Sequence, residues 1–409
     1  MRILFFSDNF PPEVNAPATR LSEHAIRWVR HGHQVTVITT APNFPEGKIY
    51  PGYRNHWRQI EKFHGIRVVR VKTYISANEG FFARTIDYLS FMVMGFLMGL
   101  FEKRPDIVVA TSPQFFCALG GWALAVVKRR PFVLELRDLW PASILAVGAM
   151  RRGPTIRALE KIEEFLYRHS DAIVCVTESF RAELMRRGIP SHQIQVILNG
   201  VELGQYRPCP RDPALVQEFD LEAPLIVGYI GTHGMAHALV KVLDAAEELL
   251  DQPEIRFFFA GAGAERLLVE RQVVERRLVN VRLIPRQPKE RMPAVWSLCN
   301  LVVVPLRNHP VFSTVIPSKI FEAMAMGVPI LASLPEGEAT ALIRQSGAGI
   351  CVPPENPALL ADQIRCLARD PDRLAVMRKA GPQAANQYSR EALGLKMEQV
   401  LAQVVRDHS

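Results

Sequence analysis

Apolar residues fall along the chain in short continuous runs of four to six, separated by stretches whose apolar positions return every three or four residues. In the first half these runs predict strands over 2–7, 35–39, 67–72, 107–111, 132–136, 172–176 and 195–198. They are rich in Val, Ile and Leu, which suits parallel strands covered on both faces. Between the first two, Leu21, Ala25, Trp28 and Val29 share one helical face and Gly32 ends the pattern. The second half restarts the scheme, with strands predicted over 225–230, 256–260, 281–284, 301–305, 329–332 and 349–352. The stretch from Asn199-Gly200 to Pro208-Cys209-Pro210 holds turn and breaker residues and few apolar ones, so a domain junction is expected there. The predicted organisation is α/β: one doubly wound domain over 1–200 and a second over 201–386. A last helix within 387–409 carries Leu393, Met397, Val400, Leu401 and Val404. Two such domains imply a cleft, with ligands beyond the carboxyl ends of the strands.

One segment departs from the pattern. Residues 86–101 are almost wholly apolar, with Arg84 before them and Glu102, Lys103 and Arg104 after. The run is short for a bilayer span, which needs about 20 residues. It fits a buried core helix, or a helix dipping into a membrane interface through residues 81–104, with Phe81 and Phe82 as interfacial aromatics.

The chemistry concentrates in 317–327, shortly after the strand predicted over 301–305. Pro317 suits the first position of a helix and Gly327 the residue after its end. A helix start offers unpaired N–H groups and a positive dipole end. Ser318 adds a hydroxyl, Lys319 a cation, and Glu322 a carboxylate able to accept from both hydroxyls of a diol. That set suits a nucleotide: amides and Lys319 for phosphate, Glu322 for ribose. The same residues also fit an ordinary amphipathic helix with Ile320, Phe321 and Met324 buried.

Other strand ends add candidates. Gly231-Thr232-His233-Gly234 follows the strand over 225–230, where glycine lets backbone N–H groups approach a phosphate. Gly261 and Gly263 follow the next strand, and Arg286 and Gln287 the one after. In the first half, Glu13, Asn15 and Ala16 leave the first strand, Arg20 begins the helix behind them, and Arg137-Asp138 ends the strand over 132–136. The loop over 43–53 is rich in Pro, Gly and aromatic residues, a composition suited to sugar or lipid contact. Asp370-Pro371-Asp372 resembles a metal–nucleotide motif but falls between helices, where turn and cap chemistry is expected.

Composition narrows the field. At 409 residues and 48% hydrophobic content the chain is long enough for two cores. A net charge of +8 favours anionic partners, but Arg is scattered and forms no basic stripe, so nucleic acid is not expected. The six Cys lie far apart with no Cys-x-x-Cys, which argues against zinc or redox sites and fits a reducing cytoplasm. Met1-Arg2 runs directly into the first strand, so no signal peptide is expected.

Together, the two halves, the Asn199-Gly200-Val201 junction and the 317–327 stretch resemble the retaining glycosyltransferases of family four, of GT-B fold. Gly231-Thr232-His233-Gly234, Trp296-Ser297-Leu298-Cys299 and the 315–322 stretch look like the bacterial branch building capsule, O-antigen and exopolysaccharide, within it the fucosaminyltransferase-like members. The resemblance implies that the first domain binds the acceptor and the second the nucleotide sugar. It implies that Glu322 holds the ribose. The family's preceding Glu falls on Thr314, and its Gly-Phe-Gly becomes Val315-Ile316-Pro317, which moves the phosphate role to the amides of Ser318 and Lys319. The family's Arg and Lys pair is absent near Thr232 and Ala238, leaving Lys319 and Arg286 to supply that charge. The family's His-Asp becomes Arg137-Asp138.

The expected reaction moves a sugar from a UDP-sugar to a saccharide acceptor, polyprenyl-diphosphate-linked, with retention and without metal or other cofactor. Lys319, Glu322, Asp138 and Glu13 are the catalytic candidates, and the last helix is expected to cross back to the first domain as part of a hinge. The expected location is cytoplasmic, peripheral on the inner face of the plasma membrane. A UDP-N-acetylhexosamine epimerase of the same fold and a non-catalytic sugar-nucleotide scaffold are the rival readings, the latter favoured by Thr314.

Overall fold

A computed structural model describes the chain apart from residues 45, 77–80, 113–114, 149, 151 and 409, and the side chains of 81, 82 and 115. The expected interfacial contacts of Phe81 and Phe82, and Pro45 of the aromatic loop, therefore lie outside the described residues. The chain divides into two units: Met1–Asn199 with Arg390–Ser409, and Gly200–Ser389.

The first unit holds strands β1 (Arg2–Phe6), β2 (Gln34–Thr40), β3 (Arg58–Phe63), β4 (Ile66–Val71), β5 (Ile107–Thr111), β6 (Phe132–Leu136), β7 (Ala172–Cys175) and β8 (Ile194–Val196). Their order is β3-β4-β2-β1-β5-β6-β7-β8. All neighbours are parallel except β3 with β4. Strand β3 was not expected. Its sequence, Arg-Gln-Ile-Glu-Lys-Phe, is mostly polar, its positions alternate between exposed and half-buried, and it pairs at the sheet edge through a turn with His64 and Gly65 at positive φ. The core joins Phe5, Val37 and Val109 to Leu21 and Trp28 of the first helix, Ala16–Arg30, and to Leu393, Met397 and Leu401 of the last, Arg390–Asp407. Three polar ties add to this packing. The Trp28 indole donates to Gly394 O (3.3 Å), Arg390 pairs with the buried Glu23, and Glu398 accepts from both His31 (2.6 Å) and His33 (2.8 Å).

The apolar helix spans Phe81–Leu100, 20 residues and longer than the apolar run suggested. It has one buried face, as a core helix would, and one exposed apolar face. Phe91, Gly95 and Gly99, one turn apart, are buried, and a Cβ on Gly95 would come within 2.9 Å of the Phe6 ring. Ile86, Leu89, Val93, Leu97 and Leu100 form an opposite, exposed stripe. Its Ala83–Leu100 portion has mean hydropathy 1.2, apolar enough to cross a membrane by length and composition.

The second unit holds β9 (Leu225–Ile230), β10 (Ile255–Ala260), β11 (Val281–Ile284), β12 (Leu301–Pro305), β13 (Ile330–Ser333) and β14 (Gly349–Val352). Their order is β11-β10-β9-β12-β13-β14, and all are parallel. Each strand buries Val, Ile, Leu or Phe, and helices on the two faces supply the rest of the core.

Candidate active site

In the second unit the strand order reverses between β9 and β12, so the connections leave the sheet in opposite directions there and open a crevice at the carboxyl ends. The turn Gly231–Gly234 comes from β9. The loop over 306–317 and the helix Ser318–Met326 come from β12.

The β9 turn interlocks with the turn after β10. His233 N–H donates to Ala262 O (2.9 Å), and Glu265 N–H donates back to His233 O (2.9 Å). Gly261 has φ +148°, and a Cβ there would lie 1.9 Å from Gly231 O. No side chain fits that approach, so these glycines close the two turns on each other. Arg266, just beyond, donates to Ile284 O (3.1 Å) and pairs with Glu270 (2.6 Å). Arg307 extends the lock to the β12 loop: its N–H donates to Ala236 O (2.9 Å) and its guanidinium lies 3.4 Å from Glu265.

The helix Ser318–Met326 starts one residue later than expected, with Pro317 as its cap residue, and no side chain caps it. Its first amides, those of Ser318 and Lys319, therefore have no intrahelical partner. Gly327 ends it in the left-handed conformation, φ +66°. Lys319 is 7% exposed. Its Nζ has no hydrogen-bond partner and sits 4.0 Å from the centroid of the Tyr229 ring. A Cβ on Gly231 would be 3.0 Å from that nitrogen, so the helix start and the β9 turn meet at Lys319. Burial lowers the Lys319 amine from 10.5 to about 7, with the Glu322 carboxylate opposing the fall. The same burial, with nearby cations, holds His233 and His237 neutral, each lowered to about 3. His233 is fully buried with neither ring nitrogen partnered. Tyr229 donates its hydroxyl to Thr232 O.

The remaining candidates of this unit are spread around that centre. Thr314 ends a short turn, Pro310–Thr314, its hydroxyl donating to Val311 O (2.7 Å). Val315 is half-buried and Ile316 buried between that turn and Pro317. Arg286 and Gln287 follow β11, two strands from β9, and the Gln287 amide donates to Pro285 O (3.0 Å). Asp370 caps the helix Pro371–Ala385, accepting from Arg373 N–H (2.9 Å). Tyr229, His237, Arg266 and Arg307 were missed by sequence reasoning. Tyr229 left a faint signal, a phenol in the otherwise aliphatic strand Leu225–Ile230.

In the first unit two expectations are corrected. Glu13 is 2% exposed and fully engaged: Oε1 accepts from Asn43 N–H (2.9 Å) and Phe44 N–H (2.8 Å), and Oε2 from Phe10 N–H (3.2 Å). It frames the aromatic loop and is closed to a substrate proton. Arg20 is equally occupied, pairing with buried Glu135 (2.8 Å) and donating to Ile197 O (3.0 Å) and Leu198 O. It ties the first helix to the sheet and presents no donor to an acceptor. Asn15 caps that helix through Ala18 N–H (3.0 Å), and Ala16 O accepts from Arg137 (3.3 Å). Among the described residues Arg137 and Asp138 form no ion pair. Asp138 instead accepts from the Ser143 hydroxyl (2.8 Å), and burial pushes its carboxyl up to about 6. Asp8, the second residue after β1, was missed. Burial raises its carboxyl well above the usual range, aided by Asp87 of the apolar helix and by Glu13. Asp87 itself is pushed up to about 6, again by burial first.

Among the described residues no group of three or more His, Cys, Asp or Glu side chains is placed to hold a metal ion, and no cysteine forms a disulfide.

Residues 15–200 match the model of the glycosyl transferase 4-like domain, and residues 215–384 that of glycosyl transferases group 1. Over its whole length the chain is 25% identical to an Escherichia coli K12 protein named as a colanic acid biosynthesis glycosyl transferase, WcaI, covering 99% of it. Sucrose-phosphate synthase from Thermosynechococcus elongatus superposes with TM-score 0.80 at 19% identity, over 99% of each chain. Anabaena HepE, solved with UDP-glucose, superposes with TM-score 0.74 at 16% identity, over 98% of this chain and all of that one. These likenesses establish the GT-B fold.

Proposed function

Because the chain belongs to the glycosyltransferases that join a 4-like domain to a group 1 domain, we propose that it transfers a sugar from a UDP-sugar to a saccharide acceptor during polysaccharide assembly. The observation that carries the donor assignment is the uncapped start of helix Ser318–Met326 with the buried, unpartnered Lys319 amine beside the Gly231 turn. Free amides and an amine able to carry charge are what a departing diphosphate requires, held in place before the ligand arrives. Glu322, one turn further, takes the ribose hydroxyls. The structure of HepE with UDP-glucose and the name of WcaI support the donor and the pathway class.

In this reading transfer proceeds with retention and without a metal, and the first unit holds the acceptor near Asp138. The acceptor is a polyprenyl-diphosphate-linked saccharide at the inner face of the plasma membrane. The exposed stripe of helix Phe81–Leu100 supports that location, as do exposed Phe101, Lys103 and Arg104 after it and Val126 and Val127 on the helix packed beside it. The relatives named above are transferases or glycosyl-donor complexes, which leaves the epimerase reading without support.

The deciding experiment is incubation of the protein with radiolabelled UDP-sugars and a lipid-linked saccharide. Label moving to the lipid phase, abolished in Glu322→Ala, is the expected result. Absence of both transfer and slow UDP-sugar hydrolysis with every donor would instead favour the scaffold suggested by Thr314.

A further inference from the structure

The amine at the centre of the donor site stands among groups that cannot share its charge. Around Lys319 are the Tyr229 ring of β9, His233 and His237 of the following turn, and Glu322 on its own helix, with Glu265 acting on Tyr229 and Arg266 on His233 from the turn after β10. Tyr229 is a neutral phenol bound to Thr232 O. Both histidines are neutral imidazoles. Arg266 is cationic and Glu265 is engaged with Arg307. Glu322 acts on Lys319 only as a charge at a distance, because Nζ has no hydrogen-bond partner. An ammonium held this way has lost its water and found no carboxylate in exchange, and a buried base so placed gives up its proton. The aromatic face alone restores too little. The uncapped amides of Ser318 and Lys319 mark the side from which an anion would arrive.

We infer that in the ligand-free protein at mildly alkaline pH Lys319 is largely uncharged and takes up a proton from solvent as a diphosphate enters, making donor binding a proton-coupled step. This rests on the nucleotide-sugar reading above. The amine becomes an ammonium against the phosphate oxygens, with no bond to the ligand formed or broken. The cation is thus created by the ligand that needs it. An empty site avoids holding a bare charge, and loss of the diphosphate after transfer returns the proton and weakens the hold on product.

The test is calorimetric titration of the full chain with UDP at pH 8, in buffers of widely different ionisation enthalpy. Since the free amine sits near 7 and the bound one well above 8, linkage predicts uptake of about 0.9 proton per UDP. Affinity should fall close to tenfold per pH unit between about pH 7.5 and 8.5, because each unit removes tenfold of the protonated form. In Lys319→Met, weaker binding without proton uptake is expected. Buffer-independent heats in the wild type, with UDP still bound, would overturn the inference and leave the donor assignment standing. Undiminished uptake in Lys319→Met would overturn it by naming another group. Absence of UDP binding at any pH would defeat the donor assignment itself, and this inference with it. The wild-type pH series decides the matter even if the variant fails to fold.

Discussion

Replacing Lys319 by Met removes the amine and keeps a flexible chain of similar volume. The ligand-free protein should become more stable. A fall of the amine from 10.5 to about 7 corresponds, at about 1.4 kcal/mol per pH unit, to a burial cost of about 5 kcal/mol. Imperfect repacking around Met returns up to about 1.5 kcal/mol of that, leaving a net gain of about 3–5 kcal/mol. For a unit of this size each kcal/mol moves Tm by about 2–4 °C, so the rise should be roughly 7–20 °C. The pH dependence carries the signature. At pH 7 and below the unfolded chain holds the proton and the folded chain bears the full penalty. Between about 7 and 10.5 only the unfolded chain remains protonated, so wild-type stability rises with pH, and above 10.5 the penalty has gone. The advantage of Lys319→Met should therefore be greatest near pH 7 and fade toward pH 10. Scanning calorimetry of both proteins without nucleotide, at several pH values, measures it. A Tm at pH 7 equal to or below wild type would refute the reasoning.

Further outcomes follow from the same geometry. Glu322→Ala should weaken UDP by roughly tenfold or more, the worth of hydrogen bonds to a charged group, as titration calorimetry checks. Gly261→Ala forces a Cβ to within 1.9 Å of Gly231 O at a backbone angle alanine avoids, so it should destabilise the second unit by several kcal/mol, about 3 or more, and abolish UDP binding. On the apolar helix, Val93→Glu with Leu97→Glu should leave circular dichroism intact and stop flotation with anionic liposomes, whereas Phe91→Glu should prevent folding because Phe91 is fully buried. Activity should survive EDTA, read by transfer of labelled sugar.

The elements that form the proposed donor site were legible because each is announced locally. A continuous apolar run ending in Gly231, and a proline-started helix carrying Lys319 and Glu322, need no distant information. The parallel order of β9 and β12 then brings them together. Side-chain partnerships across the fold were not legible. Arg20 and Glu135 lie 115 positions apart, and nothing near either residue announces that they neutralise each other. Glu13 read as a free carboxylate because its three donors are backbone amides, two of them beyond the second strand. Strand β3 escaped because a rule built on continuous apolar runs passes over an edge strand with one wet face. The two-faced character of helix Phe81–Leu100 emerged only when Gly95 and Gly99 showed which side meets the sheet.

The membership of Arg390–Ser409 in the first unit makes the second unit a sequence insertion within the first. During translation the amino-terminal fold must wait, with Leu21 and Trp28 lacking their cover, until residues 390–409 leave the ribosome. The inserted unit carries its whole sheet contiguously and suffers no such delay. Asn199 and Arg390 are held side by side by the Arg390 guanidinium on Asn199 O (3.2 Å). Excision of residues 200–389 with a short bridging peptide would therefore bring Leu393, Met397 and Leu401 to Leu21 and Trp28 without that wait.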